Sequence, residues 1–240
     1  MASTKVPSEE DFSTLSLPHS LHFHSRPSTT SIILFFHGLG DSHLSFSAFA
    51  RSLNIPNTLS ITPRGPSPLP AFLADDSDST ASPGHFHWGD DVLLSASGTL
   101  DPDPGFTHAL GRVWNDLIRA ILIRKCGWTT RDILLFGYGQ GGSFALALAL
   151  YAARQEDGGA FQGVVSLGGP MPMSAATERG RVDASVLMVQ VGEEEEEVAK
   201  RHFTGVQVVK WKRREVDMPR NREEMLPIMQ FIASSLRRGW

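Results

Sequence analysis

The densest chemical signal in this 240-residue chain is Gly137-Tyr138-Gly139-Gln140-Gly141-Gly142. It follows the apolar run Asp132 to Phe136 and precedes the alanine- and leucine-rich stretch Ser143 to Ala153. Glycines at a strand-to-helix turn serve one of two chemistries. They bring backbone N–H groups up to a phosphate, or they let a nucleophile stand on a bend too sharp for side chains on its flanks. The spacing does satisfy G-x-G-x-x-G. However, the unit lies mid-chain, and the next strand ends in Gly168-Gly169 with no acid for a ribose hydroxyl, so a dinucleotide site is the weaker reading. The other pattern is G-x-S-x-G. Gly137 and Gly141 hold its flanks, and Gly139 stands where the serine would be.

Other reactive groups are few. Ser143 sits in a relaxed G-x-S-x-A, four residues past Gly139 and a full turn inside the expected helix, pointing away from any donors at the turn. The single cysteine, Cys126, ends a helical pattern and reads as a small buried hydrophobe; one cysteine excludes an internal disulfide. His85 and His87 alternate before Trp88, with Asp90 and Asp91 beyond. Alternation puts both rings on one face of an extended segment, where a metal site is conceivable, but a pocket-loop segment is the stronger reading and no metal or cofactor is expected. His19, His22, His24 and His202 read as surface residues.

Three blocks carry a resemblance. Phe36-His37-Gly38-Leu39-Gly40-Asp41 is similar to an H-G-L-G-D turn after an early strand. Pro63-Arg64-Gly65-Pro66, followed by His87-Trp88, is similar to a pocket-lining loop with its tryptophan. Gly137 to Gly142 is similar to G-F-S-Q-G-G. In this order and spacing, over most of residues 31–238, the chain resembles the phospholipase/carboxylesterase group of α/β-hydrolases, which includes acyl-protein thioesterases. The resemblance implies hydrolysis of carboxylic esters or thioesters on acyl substrates. It implies an oxyanion hole made by the N–H groups of Leu39 and Gln140, with His37 and Trp88 lining the pocket.

The same resemblance locates a triad with no member intact. A serine esterase needs a nucleophile, a histidine to take its proton and an acid to orient the histidine. Gly139 replaces the nucleophile. The acid position falls at Glu195, within the run Glu193 to Glu197, which also reads as a solvated helix start. The base position falls near Arg220; no histidine follows His202, and arginine stays protonated. A guanidinium there, beside two amide donors, would favour a carboxylate or phosphate. Three readings follow: an impaired family member that binds an acyl ester, thioester or carboxylate; a working hydrolase with relocated groups, such as Ser143 or a water held near the hole; or a purely structural or interaction protein.

These residues need elements to position them. The spacing predicts strands at Leu21 to His24, Ser31 to Phe36, Thr58 to Thr62, Asp132 to Phe136, Gly163 to Leu167, Ser185 to Val191 and Val206 to Trp211. Helices are predicted over 44–53, 106–125, 143–153 and 221–238, with a short one opened by the glutamate run. Alternation of strands and helices implies an α/β fold: a central, mostly parallel sheet with helices on both faces, the architecture of an α/β-hydrolase. Residues 1–30 are expected to be loose and 31–240 to form one domain, with 64–105 a long pocket-side excursion. A composition of 41% hydrophobic and 20% charged residues suits one globular core. The net charge of −4 argues against nucleic acid as a partner. The first residues lack a charged and apolar leader, and no apolar run is long enough to span a membrane, so the cytoplasm is the expected location, with the nucleus second.

Overall fold

The computed structural model describes residues 4–25, 28–70, 73, 84–92, 101, 103–176 and 180–237. The polar tract Asp75 to Thr80 lies outside them.

Seven strands form one sheet: β1 (His19–Phe23), β2 (Ser31–Phe36), β3 (Thr58–Pro63), β6 (Ile133–Tyr138), β7 (Gly163–Leu167), β8 (Val182–Val189) and β9 (Phe203–Val209). Their order is β1-β3-β2-β6-β7-β8-β9. Edge strand β1 runs antiparallel to β3, and every other pair is parallel. β4 (Ser67–Pro68) and β5 (Phe86–His87) form a separate short ribbon.

The apolar runs become the middle of the sheet because both faces are covered. All six residues of β2 are buried, and its side chains alternate between two cores. Ile32, Leu34 and Phe36 join a cluster with Trp114, Leu117 and Phe144. Ile33 and Phe35 join another with Phe46, Ile228 and Phe231. The first core lies under α2 (Thr107–Arg112), its continuation Val113–Lys125, and α3 (Gln140–Ala152). The second lies under α1 (His43–Leu53) and α5 (Arg222–Arg237). Every residue of α3 from Gly141 to Leu150 is buried, which its all-round apolar sequence requires.

The expected helix over 106–125 is present, with a change of winding at Val113. From there it turns as a π-helix, and its end shows the wider step, Cys126 N–H to the Ile121 carbonyl at 3.0 Å. Leu110, Val113, Leu117, Ile118, Ile121 and Leu122 are all buried, as their spacing predicts. Asp90 caps its start from outside, accepting the N–H groups of Thr107 and His108, both at 2.8 Å.

The amino-terminal segment departs from expectation. Residues 4–25 are not loose: Phe12 and Leu17 are buried in the first core. The Lys5 N–H donates to the Cys126 carbonyl at 2.9 Å, and the Trp128 indole N–H donates to the Lys5 carbonyl at 2.8 Å. Asp11 sits between Lys5 (2.7 Å) and Lys125 (3.2 Å). The hydrogen bond from Lys5, then that from the Ser8 N–H, holds its carboxyl well below the usual range. The strap adheres through a few apolar side chains and an ion cluster that carry no periodicity.

The connections set up the site. From β2 the chain steps through α1 to β3 on one side, and the later strands β6 to β9 extend on the other. The topological switch therefore lies between β2 and β6, and open parallel sheets bind ligands at the carboxyl ends of their strands beside such a switch.

Candidate functional site

Two turns face each other there. Phe36 pairs with Gly137 in the β2/β6 register, so Leu39 and Gln140 each stand three residues beyond a matched pair on neighbouring strand ends. Among the described residues neither N–H donates to a backbone carbonyl. Gln140 opens α3, and the first N–H groups of a helix have no intrahelical acceptor. Both residues are half-buried, within reach of a ligand. Two free amide donors on adjacent strand ends can polarise or hold one oxygen.

The turn around Gly139 is sharp because its neighbours are glycines. A Cβ on Gly137 would overlap the Gly141 carbonyl, and one on Gly141 would overlap the carbonyls of Phe36 and His37. Gly139 differs. Its backbone lies at φ +53° and ψ −123°, and a Cβ there would meet nothing within 4 Å. The slot for a side chain exists and is empty of one. The Gly139 N–H donates to the Leu167 carbonyl at 2.8 Å, which holds the bend against β7.

The opposite turn is braced from beneath. The His37 Nδ1–H donates to the Gly38 carbonyl (2.8 Å), and Nε2 accepts the Gly65 N–H (2.9 Å). Burial pushes the His37 pKa down to about 4, so the ring is neutral at pH 7 and its lone pair is occupied. The Trp88 indole N–H donates to the His37 carbonyl at 2.8 Å, and the Trp88 backbone N–H donates to the Gln140 side-chain oxygen at 2.8 Å. Its ring stacks on Phe144 at 4.6 Å. His37 and Trp88, expected to line a pocket, are instead fully buried struts that fix the two turns relative to each other. That role was invisible in the sequence because it depends on backbone partners remote in the chain.

The remaining predicted positions, Glu195 and Arg220, are held by local partners. Glu195 lies half-buried in the first turn of α4 (Glu193–His202), its carboxylate folded over Gly192. Arg220 is exposed and turned to Asp217, with Nη2 at 2.6 Å. Its loop is organised by Arg213, which grips Glu224 at 2.9 and 3.2 Å, donates to the Met218 carbonyl at 2.8 Å and stacks on Trp211 at 4.4 Å. The loop turns Met218 inward, onto the second core, while Val216 lies against Gly168 and stays exposed. Asp217 faces Tyr138, whose phenol is pushed up by burial and then by that carboxylate.

The other candidates resolve plainly. Ser143 is buried, and among the described residues its hydroxyl has no hydrogen-bond partner. His85 sits against the oxyanion turn, Nδ1 2.6 Å from the Gly40 carbonyl, while His87 is buried. Asp90 is the helix cap described above. Among the described residues no three His, Cys, Asp or Glu side chains converge as a metal site.

A parallel sheet whose switch-point turns carry a glycine elbow and a facing pair of amide donors defines an α/β-hydrolase. Residues 23–202 match the phospholipase/carboxylesterase family, and the chain belongs to that family. An uncharacterized hydrolase of Schizosaccharomyces pombe is 29% identical over 213 residues, 86% of this chain and 83% of that protein. Among solved structures, the Bacillus cereus carboxylesterase superposes with a TM-score of 0.65 at 15% identity, covering 94% of this chain and 98% of that one. Zea mays acyl-protein thioesterase 2 does so with a TM-score of 0.64 at 17% identity, covering 91% and 99%. At those identities the structures speak for the fold alone.

Proposed function

We propose that this family member no longer runs serine-esterase chemistry and uses the elbow and the oxyanion turn to bind the oxygen of an acyl ligand, as an ester, thioester or carboxylate. One observation carries the reading: Gly139 holds the elbow geometry with an open slot and no nucleophile. The loop after β9 supports it by turning Met218 inward and Arg220 outward, where a base would be needed. Arginine cannot take a proton from a hydroxyl near neutral pH.

The test is direct. The native chain is expected to resist labelling by a fluorophosphonate probe and to leave p-nitrophenyl esters at their background rate. Covalent labelling at any serine would sink the reading. Binding is measured separately: short fatty acids are expected to raise Tm.

A second reading keeps hydrolysis. It is favoured by His85, whose Nδ1 is fixed by the Gly40 carbonyl, leaving Nε2 as a lone pair beside the oxyanion turn. That nitrogen would hold a water rather than activate a serine. The curated relative is also called a hydrolase. Ester turnover that His85→Ala abolishes would establish this second reading.

A further inference from the structure

The end of β3 carries a cation that nothing among the described residues neutralises. Arg64 follows Pro63, the last residue of that strand. Its backbone N–H donates to the Pro18 carbonyl at 2.8 Å, and its guanidinium lies 3.9 Å over the Phe86 ring. Among the described residues no carboxylate pairs with it. Its Nε is buried without an acceptor.

His43, the first residue of α1, has the same deficit: its Nδ1 is buried and unpartnered. Burial lowers its pKa first and the charge of Arg64 lowers it further, so the nearby fixed charge acting on it is positive. Asp41 stands two residues away, but its Oδ1 is taken by the Ser42 N–H at 2.7 Å and by the Ser45 hydroxyl. Buried donors are satisfied in nearly all folded proteins, and an orphan one costs its full desolvation. Water would supply acceptors here but no negative charge. A planar guanidinium fork suits the paired oxygens of a carboxylate or phosphate.

The location ties this pair to the site. The Gly65 N–H to His37 Nε2 bond (2.9 Å) joins the Arg64 loop to the oxyanion turn. β3 lies two strands from β6, so Arg64 stands roughly 10 Å from the elbow along the carboxyl edge of the sheet.

We propose that Arg64 and His43 form an anion subsite beside the oxyanion turn, which takes the carboxylate or phosphate of an acyl ligand whose carbonyl end reaches Leu39 and Gln140. The subsite rests on the binding reading above only for the acyl half of that ligand.

The test is calorimetric titration of the full chain with inorganic phosphate and, separately, with monomethyl adipate, which carries an ester at one end and a carboxylate at the other. Phosphate is expected to bind the native chain. Arg64→Met keeps the stem over Phe86 and is expected to weaken phosphate about tenfold, the loss of a charge-assisted pair. His43→Asn is expected to weaken it less, and Arg220→Ala to leave it unchanged. If Arg64→Met does not fold, Arg64→Lys retains the charge without the fork and is still expected to lose affinity. No phosphate binding by the native chain, or equal affinity in the folded Arg64 variant, overturns the subsite. Arg64-dependent phosphate binding with monomethyl adipate no tighter than acetate would uphold the subsite and refute the acyl-binding reading.

Discussion

Gly139 is the one glycine of its turn that lack of room does not require. Gly137, Gly141 and Gly142 would each drive a Cβ into a neighbour, whereas Gly139 has only its positive φ against a side chain. Gly139→Ala is therefore expected to cost about 1–3 kcal/mol, the strain of that conformation, and to leave the fold intact. Gly137→Ala, which must displace the Gly141 backbone, is expected to cost more than about 4 kcal/mol or to prevent folding. Urea denaturation of the two variants separates them. His37 makes a second prediction at this scale. Burial holds its folded pKa at about 4 against an ordinary 6.5. Between those values the unfolded chain binds a proton that the folded chain refuses, so stability is full above pH 6.5 and falls as pH drops towards 4. The whole window is worth about 3 kcal/mol. His22, His43, His87 and His202 shift the same way, so His37→Asn should remove part of the slope in urea midpoints across this range, not all of it. The identity of the residue at 139 was legible from G-x-S-x-G spacing. The direction of Arg220 was not, because it depends on Asp217 and on the Arg213–Glu224 pair that shapes the loop.

The elements that cover both faces of the sheet were legible because burial imposes a pattern on them. β2, β7 and the start of β3 fall where their apolar runs predict, and α1 and α5 within a residue or so of their periodicity. β8 and β9 begin about three residues earlier than expected, and β1 two. Their outer residues are half-exposed, so polarity there conceals the pairing. The β4/β5 ribbon pairs only two residues on each side, which leaves no period to read. The amino-terminal strap was missed for a related reason: Phe12 and Leu17 have no repeat that marks them as buried. Two struts between elements can be tested. Asp90→Ala removes the external cap of α2 and is expected to cost about 1 kcal/mol, visible as a lower Tm. Trp88→Phe keeps the stack on Phe144 but loses the indole bond to the His37 carbonyl, again about 1 kcal/mol. Its more telling effect would be faster amide exchange at Gly38 to Gly40 with the rest of the sheet unchanged.

At the scale of the molecule, the switch between β2 and β6 positions the two backbone donors without help from any side chain at 139. The donors are backbone groups, held by the register of Phe36 with Gly137 and by struts from β5 and α3. A glycine at 139 leaves that scaffold in place. The base, in contrast, must come from the loop after β9, three strands from β6, and that loop is locked by Arg213 with its apolar side turned inward. Restoring the nucleophile alone should therefore restore neither turnover nor rapid reaction with a suicide probe. Gly139→Ser is expected to label with fluorophosphonate only slowly, because the slot is open and the donors are in place but no base takes the hydroxyl proton. Its p-nitrophenyl ester turnover should stay near background, since a positioned general base contributes about 10²–10⁴-fold. Of the two positions in the loop, Met218 faces inward and Arg220 outward. Adding Met218→His to Gly139→Ser is expected to raise turnover over the single variant, and adding Arg220→His is not. If Arg220→His were the change that brought turnover, the loop would have to release Asp217 and rotate that side chain to the elbow, and the locked arrangement argued from Arg213 would be refuted.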